Sequence, residues 1–313
     1  MKQIIHTHAP KLPHSIDIVE LFLPIAVGIL LFLTTASLLV MRFAGSTPLT
    51  RQVLTWWRIW PCAVLALTWF PLGWYVLLAV LLGFSARELQ VLVKVDRQQK
   101  PIASAGSPWL TIGVALAVSC AVTSVLAVVA PAVHASLFVL SLLLFVGCSI
   151  WSPRPLLCAA IWLSIGLTSL GQFHLLEPSL ALRWLGFLLI ITALNDVAQY
   201  LVGKPFGRHR IAPQLSPNKT WQGLAGGTLI SALLAFWIGQ QLQLAPAVPL
   251  LLLGGALAVG GFFGDLAFSA LKRQAGIKDF SNLLPGHGGM LDRIDSLMFT
   301  APLLWLLVYF QWI

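Results

Sequence analysis

Between Gly264 and Ser296 the chain reads GDLAFSALKRQAGIKDFSNLLPGHGGMLDRIDS. Asp265, Asp279, Asp292 and Asp295, four of the ten acidic residues in the protein, fall inside it beside Lys272, Arg273, Lys278, His287 and Arg293. Asp265, Ser269 and Lys272 stand at i, i+4 and i+7, so a helix points all three from one face. An ionised carboxylate at the centre of a bilayer costs about 2.5–3.5 kcal/mol on insertion scales, and a cation partner offsets that. A solvated helix end is the plainer account of Asp265. Asp292, Asp295 and Ser296, at i, i+3 and i+4, sit where a helix begins, and such ends favour carboxylates. Capping alone accounts for one of them. Asp265 and Asp292, converging from separate helices, are what a hard cation such as Mg²⁺ needs when water and phosphate oxygens complete its shell; Asp295 would support that shell from behind. Between the acids, Pro285, Gly286, His287, Gly288 and Gly289 give a backbone with little side-chain obstruction, whose N–H groups can approach an anion. A tight turn is the bland alternative. Lys272, Arg273, Lys278 and Arg293 bracket the turn with charge-assisted donors suited to a polyphosphate.

A second polar block, NDVAQYLVGKPFGRHRIAPQLSPNKTWQGLAGG, runs from Asn195 to Gly227. Asp196, Gln199 and Tyr200 share a helix face there, either toward the same ligand or as a polar helix-packing contact. Ser216 and Thr220 precede an apolar helix and can cap it, while Lys219 offers a phosphate contact. The glycines at 254, 255, 260, 261 and 264 suit close helix packing in lipid. The histidines at 6, 8, 14, 134 and 174 lack paired ligand spacing, and His209 falls in a loop. Cys62, Cys120, Cys148 and Cys158 lie in apolar segments without disulfide or zinc spacing.

These groups must be carried by membrane helices. Hydrophobic residues make up 58% of the chain and charged residues 9%, too little polar surface for a soluble fold. The apolar runs are continuous rather than alternating, which argues for helices over a β-barrel. The fold class is all-α, a polytopic transmembrane helical bundle with spans near 18–41, 52–70, 73–90, 109–130, 133–152, 155–175, 180–202, 221–242, 247–269 and 297–313. Pro71 with Gly73, and Pro131, divide the longer stretches; fusing one pair gives nine spans instead of ten. The segment from Ala86 to Lys100 suits an interfacial amphipathic helix or a solvated linker. Residues 1–313 form one membrane domain, with scaffold helices over 1–178 and a catalytic region over 179–313. The net charge of +9 is spread between spans rather than gathered on one face, which excludes nucleic acid as a partner. Alternate loops carry most of the Lys and Arg, so the positive-inside bias puts both polar blocks on the cytoplasmic face.

Taken together, the C-terminal residues resemble the phosphatidate cytidylyltransferase family, the CDP-diacylglycerol synthases. Its motif reads S-x-hydrophobic-K-R, four residues, K-D, then P-x-H-G-G-x-x-D-R-x-D, met here by Ser269, Lys272, Arg273, Lys278, Asp279, Pro285, His287, Gly288, Gly289, Asp292, Arg293 and Asp295. Ser216, Pro217, Lys219, Thr220 and Gly223 look like its S-P-x-K-T-x-E-G element, and Asp196 with Tyr200 like its upstream aspartate and aromatic. The likeness covers about the last 120 residues. Two positions depart: Gln222 stands in place of Glu, and Gln199 in place of a small residue. The resemblance implies transfer of CMP from CTP to phosphatidate, giving CDP-diacylglycerol and pyrophosphate; the compact chain and the absence of eukaryotic targeting signals point to the bacterial inner membrane. Asp265, Asp292, Lys272 and Lys219 would be catalytic, with Mg²⁺ on Asp265, Asp292 and Asp295. Ser216, Thr220, Ser269, Arg273, Lys278, His287, Gly288, Gly289, Arg293 and Asp196 would bind substrate. A second, monovalent cation and a homodimer stay open. Two other functions compete: a secondary transporter for an anionic solute, whose mark would be internal duplication, and an inactive or regulatory homologue, suggested by Gln222 and Gln199.

Overall fold

The structure, a computed structural model, describes residues 61–90, 155–283 and 288–313, with residues 34, 38, 57, 59 and 92. All elements named below belong to one compact unit, Arg58–Ile313. In chain order they are α1 (Leu72–Glu88), α2 (Pro155–Gln172) running into a 3₁₀ turn (Phe173–Leu175), α3 (Pro178–Phe206), β1 (Arg210–Ala212), β2 (Ser216–Thr220), α4 (Trp221–Gln241), α5 (Ala247–Gln274) and α6 (Leu291–Tyr309). Helices dominate, as composition requires. The expected spans at 109–130 and 133–152 lie outside the described residues, as do all of 18–41 but residues 34 and 38, and most of 91–100.

Among the described residues, four helices are long and apolar enough to cross a membrane: Cys158–Leu175, Pro178–Phe206, Trp221–Gln241 and Ala247–Gln274. Their outer faces remain apolar, with Leu201, Trp221, Leu229, Leu233, Trp237 and Leu252 all exposed. Such a surface suits hydrocarbon as its solvent. Residues 61–68 are helical and the chain turns at 69–71 before α1 begins, so the break expected at Pro71 is present.

Local sequence sets the ends of these helices. Pro178 occupies the first turn of α3, where its missing N–H is no loss, and the Glu177 side chain accepts the Leu180 N–H at 3.2 Å. Burial alone would push the Glu177 carboxyl up, but bonds from Ser179 and Leu180 and the nearby Arg183 hold it below the usual carboxylate range. α3 runs to Phe206, past the expected end near 202, because Pro205 comes only in its final turn. α5 likewise outruns its expected limit of 269 and ends at Gln274. Asp265 therefore sits well inside a helix rather than at its end, and Lys272 and Arg273 are helical too. Gly276, at φ +67°, stops α5. Its N–H bonds the Arg273 carbonyl at 3.0 Å and the Ile277 N–H bonds that of Lys272 at 2.9 Å, the paired bonds of a Schellman end.

α3, α4, α5 and α6 pack in succession, α2 closes against α6, and α1 lies on α2 and α6. The small residues along α5 serve as expected: Gly254 faces Ala235 of α4, and Gly264 faces the backbone of Asp295 and Ser296 on α6. Asn195, 1% exposed, ties three helices by accepting from Ser231 Oγ at 3.1 Å and donating to the Ala258 carbonyl at 3.2 Å.

The mostly helical fold carries one short addition. Residues 210–220 form a small antiparallel hairpin, with Arg210 opposite Thr220 and Ala212 opposite Ser216, so the fold is not purely helical. These strands are too short for period-two patterning to register, and Pro217 argues against a strand. A two-stranded ribbon is all edge, and there a proline is tolerated.

Candidate active site

The hairpin, α3, the start of α4, α5 and α6 line an open cavity of about 320 Å³. Both polar blocks of the sequence meet in it: Asp196 from α3, Ser216, Lys219 and Thr220 from β2, Asp265 and Lys272 from α5, and Asp292, Arg293 and Asp295 from α6. Asp279, from the link after α5, joins them.

Two ion pairs span the floor. Lys219 Nζ lies 2.6 Å from Asp265 Oδ2, and Lys272 Nζ lies 2.6 Å from Asp292 Oδ1. They differ in exposure. The Lys219 and Asp265 side chains are 14% and 31% exposed, those of Lys272 and Asp292 9% and 3%. Lys219 is further fixed by the Phe262 carbonyl at 3.3 Å and by the Phe262 ring, 4.4 Å away. Ser269 Oγ donates to Asp265 Oδ1 at 3.3 Å, so that serine stands behind the aspartate.

Asp292 is a hub. Its Oδ2 accepts the Phe280 N–H at 3.0 Å and the Gly289 N–H at 2.8 Å, while Oδ1 holds Lys272. A carboxylate offers about four acceptor sites, so Oδ1 keeps a position for another ligand. Asp295, 6% exposed, accepts the Ser296 N–H at 2.8 Å; among the described residues no Lys or Arg nitrogen is within salt-bridge distance of it.

Five carboxylates thus face three cations, Lys219, Lys272 and Arg293. An anionic ligand would meet net negative charge unless a cation came with it. The donors are hard oxygens, the set preferred by Mg²⁺ and its relatives. Among the described residues no three Asp, Glu, His or Cys side chains cluster into a ready-made cage. A cation here would draw its remaining ligands from water or from a bound phosphate.

Other expected residues fall elsewhere. Arg273 is exposed and donates to the carbonyls of Leu215 at 3.2 Å and Ile277 at 2.9 Å, which pins the hairpin turn to the end of α5. Lys278 is exposed and off the cavity wall. Thr220 caps α4 by accepting the Gly223 N–H at 3.1 Å, as its position before an apolar helix suggested. Gly288 and Gly289 lie against Asp292, whereas His287, with Leu284, Pro285 and Gly286, is outside the described residues. Gln199 lines the cavity and donates to Asn195 Oδ1 at 3.0 Å. Gln222 does not line it: its Oε1 accepts the N–H groups of Arg208 at 3.1 Å and His209 at 3.2 Å, and its Nε2 meets His209 Nδ1 at 2.8 Å. The amide is spent on the entry to the hairpin.

Sequence reasoning passed over Glu88. It is 5% exposed at the end of α1 and accepts from Ser281 Oγ at 2.6 Å and from the N–H groups of Met290 and Leu291, each at 2.8 Å. The available signal was an acid in an apolar run, ARELQVLV, which was absorbed into an interfacial helix.

Comparisons with known proteins bear on this geometry. A 116-residue stretch is 50% identical to the uncharacterized protein YnbB of Escherichia coli K12, covering 37% of this chain and 39% of that one. The phosphatidate cytidylyltransferase of Bacillus subtilis is 43% identical over 129 residues, 41% of this chain and 48% of the relative. That of Pseudomonas aeruginosa is 47% identical over 116 residues, 35% of this chain and 43% of the relative. The aligned parts therefore span less than half the length of these relatives. The model of the cytidylyltransferase family reaches much further, matching residues 50–311, from before α1 through α6. The cavity's walls all fall within that match, and the chain belongs to the cytidylyltransferase family.

Proposed function

We propose that the protein transfers CMP from CTP to phosphatidate, giving CDP-diacylglycerol and pyrophosphate, on the cytoplasmic face of a bacterial inner membrane. The observation that carries this is the cavity in which paired lysines and aspartates from β2, α5 and α6 converge beside helices long enough to cross a membrane. Family membership and the names borne by the Bacillus and Pseudomonas relatives support the same substrate class.

In the proposed reaction an oxygen of the lipid phosphate forms a bond to the α-phosphorus of CTP. The bond from that phosphorus to the β-phosphate oxygen breaks, and its electron pair leaves with pyrophosphate. The attacking oxygen is already anionic near neutral pH, so no strong base is needed. Positioning and charge neutralisation supply the rate. Lys219, Lys272 and Arg293 hold phosphate oxygens; each lysine exchanges its aspartate for the ligand. Ser216 and Thr220 flank the same wall. Asp265 and Asp292 would hold Mg²⁺, with Asp295 behind them, and the ion would neutralise the triphosphate's charge when bound. A nearby monovalent cation and a homodimer belong to the same proposal without changing these roles.

The test is purified protein in lipid nanodiscs, given CTP labelled in the α-phosphate, Mg²⁺ and a panel of lipid phosphates. Label should move into a lipid product with phosphatidate, pyrophosphate should appear in equal amount, and EDTA should stop both. Proteoliposomes that move an anionic solute without consuming CTP would overturn the proposal.

A further inference from the structure

We propose that Glu88 is a positioning residue that sets the geometry of Asp292 from the other end of the chain. Asp292 receives its two backbone donors from different segments: Phe280 before the Gly-rich turn and Gly289 at its end. Glu88 grips both. Its Oε1 accepts from Ser281, the neighbour of Phe280, and from Met290, the neighbour of Gly289, while Oε2 accepts from Leu291. One carboxylate therefore fixes the spacing between the two N–H groups that aim Asp292 at the cavity.

Gly289 records how close this grip is. A Cβ there would stand 2.7 Å from both Glu88 oxygens, so no other residue fits without moving the carboxylate. Charge favours the arrangement as well, since the N–H groups of Met290 and Leu291 open α6 and attract an anion. Glutamine cannot replace it. An amide has one acceptor oxygen for donors that occupy two, and its NH₂ would face an N–H group.

The proposal rests on cytidylyl transfer only for its kinetic arm. Full-length Glu88→Gln and Glu88→Asp proteins are compared with the parent in nanodiscs by amide hydrogen exchange and steady-state kinetics. In Glu88→Gln, exchange should rise about tenfold at Gly289 and Phe280, whose N–H groups bond Asp292 and not Glu88. The value of kcat should fall about 10–100-fold, the range for residues that orient ligands of a metal, with KM for CTP within about twofold and half-saturating Mg²⁺ raised. Glu88→Asp should recover part of each effect. Unchanged exchange at Gly289 and Phe280, or kcat per folded molecule equal to the parent's, overturns the proposal. If Glu88→Gln fails to fold, Ser281→Ala removes one of the three donors and must still speed exchange at Phe280; if it does not, the proposal falls. A parent protein that consumes no CTP defeats cytidylyl transfer, and the exchange result still decides the grip.

Discussion

At the residue scale the two lysine–aspartate pairs look alike but should answer mutation differently, because burial sets what an ion pair contributes. Lys219–Asp265 is partly open, and such pairs contribute about 0–1 kcal/mol. Asp265→Asn should leave thermal stability nearly unchanged and lower kcat about 10²-fold or more, as expected for a group aimed at transition-state charge. Lys272→Met strands the 3%-exposed Asp292 carboxylate, and breaking a buried pair from one side costs about 3–5 kcal/mol. The two remaining N–H donors to Asp292 place the expected loss near the lower figure. Thermal melts of the variants, with activity counted per folded molecule, separate the two effects. Residue types and spacing were enough to single out Asp265, Lys272, Asp292 and Lys219, which the fold brings into one cavity, because charges are rare in this chain. Glu88 was not legible in the same way: two of its three partners are backbone N–H groups about 200 residues later, and backbone donors leave no mark in a sequence.

Among the elements, the end of α5 decides where the link carrying Asp279 and Phe280 sets out. Gly276 is in the left-handed region with open space around it, so a side chain there meets backbone strain and nothing else. Gly276→Ala should destabilise the protein by about 1 kcal/mol, and Gly276→Asn by less, since Asn enters that region more readily. Chemical or thermal unfolding in detergent measures both. Helix existence was readable from apolar runs, and the break at Pro71 from that proline with Gly73. Helix ends were less readable. α5 continues beyond its apolar stretch because Lys272 is buried against Asp292 and Phe280, so charge that looked like the start of a loop belongs to the packed face. The hairpin escaped notice for a different reason: its strands take their order from each other and from the pinning of Leu215 by Arg273, which are contacts and not patterns.

For the molecule as a whole, the uneven distribution of Lys and Arg predicts which side of the membrane the cavity opens to. A single cysteine at exposed Gln214 in the hairpin turn, in a chain whose native cysteines are replaced, should react with an impermeant maleimide in inside-out vesicles and not in intact cells. Labelling from outside would invert the topology. Positive-inside bias yields an orientation from sequence alone because it depends on counts of charge, not on contacts. The bond between Glu88 and Leu291, 203 residues apart, has a consequence for how the protein is made. Ribosomes add about 5–20 residues per second, so α1 is finished roughly 10–40 s before the segment it must hold emerges. The proposed grip then closes only after Leu291 has emerged, so a nascent chain that stops short of it lacks the bonds that hold the two donors of Asp292.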